Sequence, residues 1–232
     1  MKKILVIGAD SKIAKTLQQI TDGTYSLVLS SRKPNMTPEK HSILHLDLSD
    51  ATSVKTFTEQ VADETFAAVF IFASTYRPDQ ESTTEYLEQA REDSVINALA
   101  PISILRSLRY EAKAKVFLFG DAGLDHPKEK HSGYSISKLL FEHLSKELAV
   151  ELAPKDVSVI MFRLGPTVPS AQSESAHKEF HHRRLLGVED PAKGLIKLCL
   201  FLLEEPNISI TGTIIDYDGG AYLKRNNGLS AS

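Results

Sequence analysis

Short apolar runs alternate with longer amphipathic ones along almost the whole chain. Ile4–Ile7, Ser26–Ser30, Ser42–Leu46, Ala67–Ala73, Lys115–Gly120, Val157–Phe162 and Thr213–Asp216 each read as a strand. Ala67–Ala73 is apolar throughout, as a strand covered on both faces must be. Between the strands, apolar residues recur at helical spacing. One such segment runs from Ser11 to about Ile20, with Ile13, Leu17 and Ile20 inward. A second is capped by Asp50 and carries Val54, Phe57 and Val61. A third covers Glu85–Leu108, a fourth opens at Ser132 and runs on through Leu139 to Ala153, and a fifth covers Pro191–Glu204. Strand, helix, strand repeated in this way predicts βαβ units and an α/β fold with a doubly wound parallel sheet. In such sheets the site forms from loops beyond the strand C-termini. The irregular stretches 75–83, 121–131 and 165–190 all follow strands, so all three belong on the functional edge.

The 232 residues, 42% of them hydrophobic, allow a full core in a single domain, and nothing resembles an interdomain linker. A net charge of −3 gives no electrostatic footprint for nucleic acid, and no basic helix marks a membrane surface. The only cysteine, Cys199, lies in an apolar run and reads as a buried thiol, which suits a reducing compartment. The apolar run at the N-terminus is too short for a signal peptide, with Asp10 and Lys12 following at once. No other run approaches a membrane span. The expectation is a soluble, cytoplasmic protein.

After the first strand comes Gly8-Ala-Asp-Ser-Lys-Ile-Ala14. A glycine there permits a tight turn, and the following helix N-terminus can receive a phosphate. Of the G-x-x-x-G-x-G spacing only Gly8 survives; Lys12 and Ala14 replace the other two. An ordinary strand-to-helix turn explains the segment equally well. The second strand ends in Ser30-Ser31-Arg32-Lys33. An acid at such a tip binds a ribose 2′-hydroxyl, whereas Arg accommodates a 2′-phosphate, so NADPH is favoured over NADH; a solvated basic turn before Pro34 is the other reading of the same residues. Asp47 can accept from an adenine amine or serve as a turn residue. Gly8, Ser11, Lys12, Ile13, Ser31, Arg32, Asp47, Leu48, Ala73, Ser74, Gly165 and Thr167 are the candidate cofactor contacts, with Tyr134 and Lys138.

Tyr134 and Lys138 are four residues apart at the start of a helix, hence on one face. A cation beside a phenol favours the phenolate and lowers its pKa from about 10, giving a proton donor usable near neutrality. Thirteen positions before Tyr134, at the end of a strand, stands Asp121.

Gly8, Arg32, Asp47, Asn97, Tyr134 and Lys138, through Asp218-Gly-Gly-Ala-Tyr222, resemble the short-chain dehydrogenase/reductase family in order and spacing over nearly the whole chain. The resemblance implies a Rossmann-type doubly wound parallel sheet. It implies that Tyr134 exchanges the proton with substrate. Lys138 would lower the tyrosine pKa and hold the nicotinamide ribose, and Asn97 would hold a water in a proton relay. It also implies a homotetramer or homodimer built on the long helices and the C-terminal strand. The family usually has Ser where this chain has Asp121. Asp at that position, a basic residue at Lys12 and the Ala73-Ser74 pair are similar to the pteridine reductase and dihydromonapterin reductase subgroup. Ile71-Phe72 replaces the usual Asn-Asn, and Leu164-Gly165 the usual Pro-Gly.

A carboxylate cannot donate to a developing alkoxide. Asp121 therefore disfavours simple carbonyl reduction and favours hydride transfer to a ring C=N of a pterin. Tyr76 and Phe180 are candidate stacking faces. His177 and His181 have the spacing to share a metal, but no third ligand is evident and no metal is expected. With His182, Arg183 and Arg184 they read as a polar lid in 165–190, either arginine able to bind an acidic tail or to sit at the surface. Two other readings stand beside the pterin reductase: a carbonyl reductase acting on, for example, 3-oxoacyl thioesters, and a cofactor-binding regulatory protein without turnover.

Overall fold

Among the described residues, seven parallel strands form one sheet in the order β3-β2-β1-β4-β5-β6-β7. They are β1 (Lys3–Ile7), β2 (Ser26–Ser31), β3 (Ile43–His45), β4 (Thr65–Ile71), β5 (Arg109–Asp121), β6 (Ser158–Leu164) and β7 (Thr213–Tyr217). The structure is a computed structural model and describes residues 1–33, 43–126, 128–167 and 182–223. The strand order reverses between β1 and β4, which opens a crevice at their C-terminal ends.

Six helices flank the sheet among these residues: α1 (Lys12–Thr21), α2 (Ala51–Gln60), α3 (Thr83–Ser94), α4 (Ala100–Ser107), α5 (Ser132–Leu152) and α6 (Pro191–Glu204). One core gathers Phe57 of α2, Ile104 of α4 and Phe141 of α5 against Leu5, Val69, Val116 and Val159. The other gathers Leu17 of α1 and Leu195 and Cys199 of α6 against Val6, Phe70, Phe117 and Phe162. Each fully buried Phe or Leu contributes about 1.5–3 kcal/mol of burial. Cys199 belongs to this packing, and burial pushes its thiol pKa up.

Local chemistry fixes the helix starts. Ser11 Oγ accepts from the Ala14 amide (3.1 Å), Asp50 Oδ1 from Thr52 (2.8 Å) and Asp190 Oδ1 from Lys193 (2.9 Å). The region expected as one helix over Glu85–Leu108 is interrupted by a π-helical turn at Val95–Leu99. Its cause is Pro101, which has no N–H and whose ring crowds the carbonyl four residues back, that of Asn97. The turn widens to accommodate it, and Asn97 sits inside it.

Several strand boundaries differ from expectation, β4 also starting at Thr65 rather than Ala67 and β6 ending at Leu164 rather than Phe162; two of the shifts have a visible cause. β5 starts at Arg109 rather than Lys115, because Arg109 and Tyr110 pair with Thr65 and Phe66 before a register shift. The polar, largely exposed residues there hide a strand from any apolar pattern. β4 ends at Ile71 rather than Ala73; beyond it the Phe72 and Ala73 amides both donate to Ile7 O (2.8 and 3.1 Å). No helix of the described residues is long and apolar enough to cross a membrane.

Candidate active site

Gly8 has φ +87°, and a Cβ there would lie 2.5 Å from the Ala73 amide nitrogen. The first loop therefore presses against the end of β4 in a way only glycine allows. The Gly8 and Ala9 amides donate to Ser30 O at 3.2 and 2.9 Å, tying that loop to β2 as well.

Two cavities open along the crevice. The first, about 240 Å³, is lined by the expected Gly8, Ser11, Ser31, Arg32, Asp47, Leu48, Ala73 and Ser74, and also by Asp10. The second, about 540 Å³, holds Ile13, Asp121, Tyr134, Lys138 and Gly165. They meet at Ser11, Phe72 and Ser74, which line both. Two expected contacts fall elsewhere. Lys12 is exposed on the first turn of α1 and lines neither cavity. Thr167 is buried and lines a separate pocket of about 290 Å³ with Arg184.

Asp47 accepts from the hydroxyl (2.6 Å) and amide (2.9 Å) of Ser49. These bonds, against a burial penalty and with help from the Arg32 charge, hold its carboxyl below its ordinary pKa. It keeps its turn role while facing the cavity.

At the centre of the second cavity the Tyr134 hydroxyl donates to Asp121 Oδ2 at 3.0 Å. Asp121 Oδ1 accepts from the Gly123 amide at 2.6 Å, which fixes the carboxylate at the strand end. The i, i+4 pair is present, but the Lys138 ammonium donates to Phe119 O at 3.2 Å. The expected lowering of the phenol pKa is overturned. Burial, then the charge and hydrogen bond of Asp121, push it up. Burial pulls Lys138 down to about 8, against the charges of Asp121 and Glu142.

Asn97 is buried and makes protein contacts at both ends of its amide. Its Oδ1 accepts from Thr75 N (2.7 Å) and Ser74 Oγ (3.1 Å). Its Nδ2 donates to Thr75 O (3.2 Å) and Ser137 Oγ (2.9 Å). In this geometry it clamps the loop after β4 to α5, rather than facing the cavity.

Several residues outside the expected set line or brace the site. Asp79 caps α5 from a distant loop: it accepts from Ser132 N and Oγ (2.7 Å each) and Gly133 N (3.0 Å). Burial opposes ionisation, yet these bonds hold its carboxyl below its ordinary pKa. Arg163 of β6 forks onto Glu142 of α5 (2.7 and 2.6 Å), one turn beyond Lys138. Only the i, i+4 spacing from Lys138 marks Glu142 in the sequence. Phe72, in place of an Asn, stacks on Phe119 at 4.6 Å and 9°.

Tyr76 meets the Tyr134 ring edge-on (4.8 Å, 88°), with His131 stacked on it and Lys128 Nζ 5.5 Å from its centre. Arg183, exposed, and Tyr222 line the same cavity, whereas Arg184 is buried. His182 is exposed. Phe180, His177 and His181 lie outside the described residues, as does 168–181 of the expected lid. Among the described residues no cluster of side chains fits a metal ion.

Residues 29–222 match the family model described as enoyl-(acyl carrier protein) reductase. A curated relative, 3-oxoacyl-[acyl-carrier-protein] reductase FabG of Buchnera aphidicola subsp. Baizongia pistaciae, is 27% identical over 127 residues, 52% of this chain and 51% of that protein. The chain thus spans about half the length of the curated relative it matches. A short chain dehydrogenase family protein from Francisella tularensis superposes with TM-score 0.81 at 17% identity, over 96% of this chain and 99% of its own. A dehydrogenase/reductase from Sinorhizobium meliloti gives 0.77 at 18%, over 95% and 94%. The angucycline C-6 ketoreductase LanV, solved with bound NADP, gives 0.79 at 16%, over 96% of both chains. At such identities these structures speak to fold alone. With a family model matched over most of its length, on this parallel sheet, the chain belongs to the short-chain dehydrogenase/reductase family of NAD(P)-dependent oxidoreductases.

Proposed function

We propose that the chain reduces a ring C=N bond of a pterin-type substrate (a dihydropterin, dihydromonapterin or dihydrofolate), with NADPH as hydride donor. The observation that carries this is the 3.0 Å hydrogen bond from Tyr134 to the Asp121 carboxylate.

The residues present fit a dinucleotide. A positive-φ glycine lets the first loop turn into α1, and two joined cavities run from the β2 tip to Tyr134. Arg32 in the first cavity supports a 2′-phosphate. When bound, the nicotinamide supplies hydride. Lys138, buried and lining the same cavity as Tyr134, would hold the adjoining ribose and offer positive charge.

The chemistry left to the chain is the proton. Reducing C=N adds hydride to carbon and a proton to nitrogen. A ring nitrogen that takes its proton first becomes a cation, and a carboxylate 3.0 Å from the tyrosine oxygen favours that cation. Hydride addition then discharges it. Carbonyl reduction instead builds an alkoxide, which the same carboxylate repels. Tyr134 passes its proton to the ring nitrogen and regains one from solvent through Asp121, which ends as the carboxylate it began as, so no isolated phenolate is left in a buried site. Asp79 and Asn97 hold α5 and the 75–83 loop so that Tyr134 faces Asp121.

The match to FabG favours a second reading, reduction of a 3-oxoacyl thioester. NADPH consumption with dihydrobiopterin, dihydromonapterin, dihydrofolate and an acetoacetyl thioester separates the two. Turnover of a pterin substrate well above the thioester is expected. The reverse order would refute the pterin assignment, and NADPH binding without turnover on any of the four would indicate a regulatory protein.

The same reading includes a second copy of the chain. Ile136, Leu139 and Val150 are exposed at helical spacing along one side of α5, with Leu87 and Leu99 exposed on the neighbouring helical segment. The reducing compartment read from Cys199 is the cytoplasm.

A further inference from the structure

The acid missing from the end of β2 is supplied from another place. Ser31 is the last residue of that strand, and its hydroxyl donates to the Asp10 carboxylate in the glycine loop. Ser31 Oγ in turn accepts from the Lys33 amide at 2.9 Å, which fixes the hydroxyl in the turn. Asp10 therefore brings a carboxylate to the strand tip, the position at which an acid recognises a ribose 2′-hydroxyl. Asp10 and Ser31 line the first cavity together with Arg32 and Asp47. Arg32 lies near enough to Asp47 for its charge to stabilise that carboxylate. The tip thus presents one guanidinium and two carboxylates to whatever enters.

A 2′-phosphate needs the guanidinium and is repelled by Asp10. A 2′-hydroxyl can donate to Asp10 and leaves Arg32 to Asp47. We infer that Asp10 determines cofactor specificity, accepting the ribose 2′-hydroxyl so that the site takes NADH as well as NADPH. The inference rests on the dinucleotide reading of the cleft and is independent of the substrate. Arg32 serves one cofactor and Asp10 the other.

The test is direct binding. Dissociation constants for NADH, NADPH, 5′-AMP and 2′,5′-ADP are measured by calorimetry on the wild-type chain, Asp10→Asn and Arg32→Gln. Wild-type chain should bind both dinucleotides. Losing a charge-assisted hydrogen bond should weaken NADH and 5′-AMP about tenfold in Asp10→Asn. NADPH and 2′,5′-ADP should hold or tighten, since a like charge has gone. Arg32→Gln should do the reverse.

NADH affinity unchanged in Asp10→Asn would overturn the inference. So would equal weakening of NADH and NADPH, which would mean that Asp10 only braces the Ser31 turn. A melting temperature for each variant separates that bracing from recognition. Failure of every nucleotide to bind wild-type chain would bring down the dinucleotide reading itself, and the inference with it.

Discussion

Replacing Asp121 with Ser should invert the preference between C=N and C=O substrates. An acceptor atom hydrogen-bonded to Tyr134 lies about 3 Å from its oxygen, hence about 5 Å from the Asp121 carboxylate oxygen that the same hydroxyl meets. Two unit charges at that distance interact by about 3 kcal/mol at an effective dielectric near 20. Asp121 is half-buried and faces an open cavity, so screening reduces this to about 2 kcal/mol, roughly 30-fold in rate. For a C=N substrate that stabilisation is lost in Asp121→Ser. For a ketone the repulsion disappears and a hydroxyl donor is gained, worth about 10²–10³ in rate. The ratio of kcat/KM for dihydropterin over acetoacetyl thioester should therefore fall by at least about 10⁴, the relief of repulsion adding to the two other factors. Asp121→Asn, which removes charge without placing a serine hydroxyl, should give a smaller shift in the same direction. Cofactor dissociation constants and melting temperatures confirm that both variants stay folded. A ratio within about threefold of wild type in both would refute the electrostatic reasoning.

Gly8→Ala forces a Cβ into the Ala73 backbone at φ +87°, and the dihedral alone costs about 1–2 kcal/mol. Its melting temperature should drop by at least about 3–6 °C, with cofactor affinity lost as well. Because Lys138 is held down at about 8, raising the pH past that value removes the ammonium. kcat/KM should show an alkaline limb near pH 8 that Lys138→Arg moves out of range, and an identical limb in the variant would reject Lys138 as its source. Arg163→Met leaves Glu142 buried without its fork and should cost about 3–5 kcal/mol in urea unfolding. The double variant with Glu142→Met should recover most of that loss. Ile136→Glu with Leu139→Glu should convert any oligomer to monomer by light scattering, and an unchanged mass would exclude this face as the contact.

Where the fold follows from local periodicity, the sequence reads it well. α6 runs from Pro191 to Glu204, the expected bounds, because a Pro at the first turn and an apolar stripe are both local signals. The start of β5 is not legible, since Arg109–Lys113 is polar and is made a strand by partners on β4. The π-helical turn at Asn97 could have been read from Pro101 four residues on. The Asp79 cap could not, because its partner Ser132 is 53 residues away. Site electrostatics divide in the same way. The i, i+4 rule correctly puts Lys138 on the Tyr134 face, but a shared face does not decide where a flexible ammonium goes. The Phe119 carbonyl, at the end of β5, takes it at 3.2 Å. The charge nearest the phenol oxygen then comes from the residue two positions further along that strand. Asp121 was visible as an unusual residue thirteen positions upstream. That burial and then this carboxylate raise the tyrosine's pKa, with Lys138 turned to a carbonyl instead, depends on how β5 and α5 pack together, and the proton chemistry of the site follows from that packing.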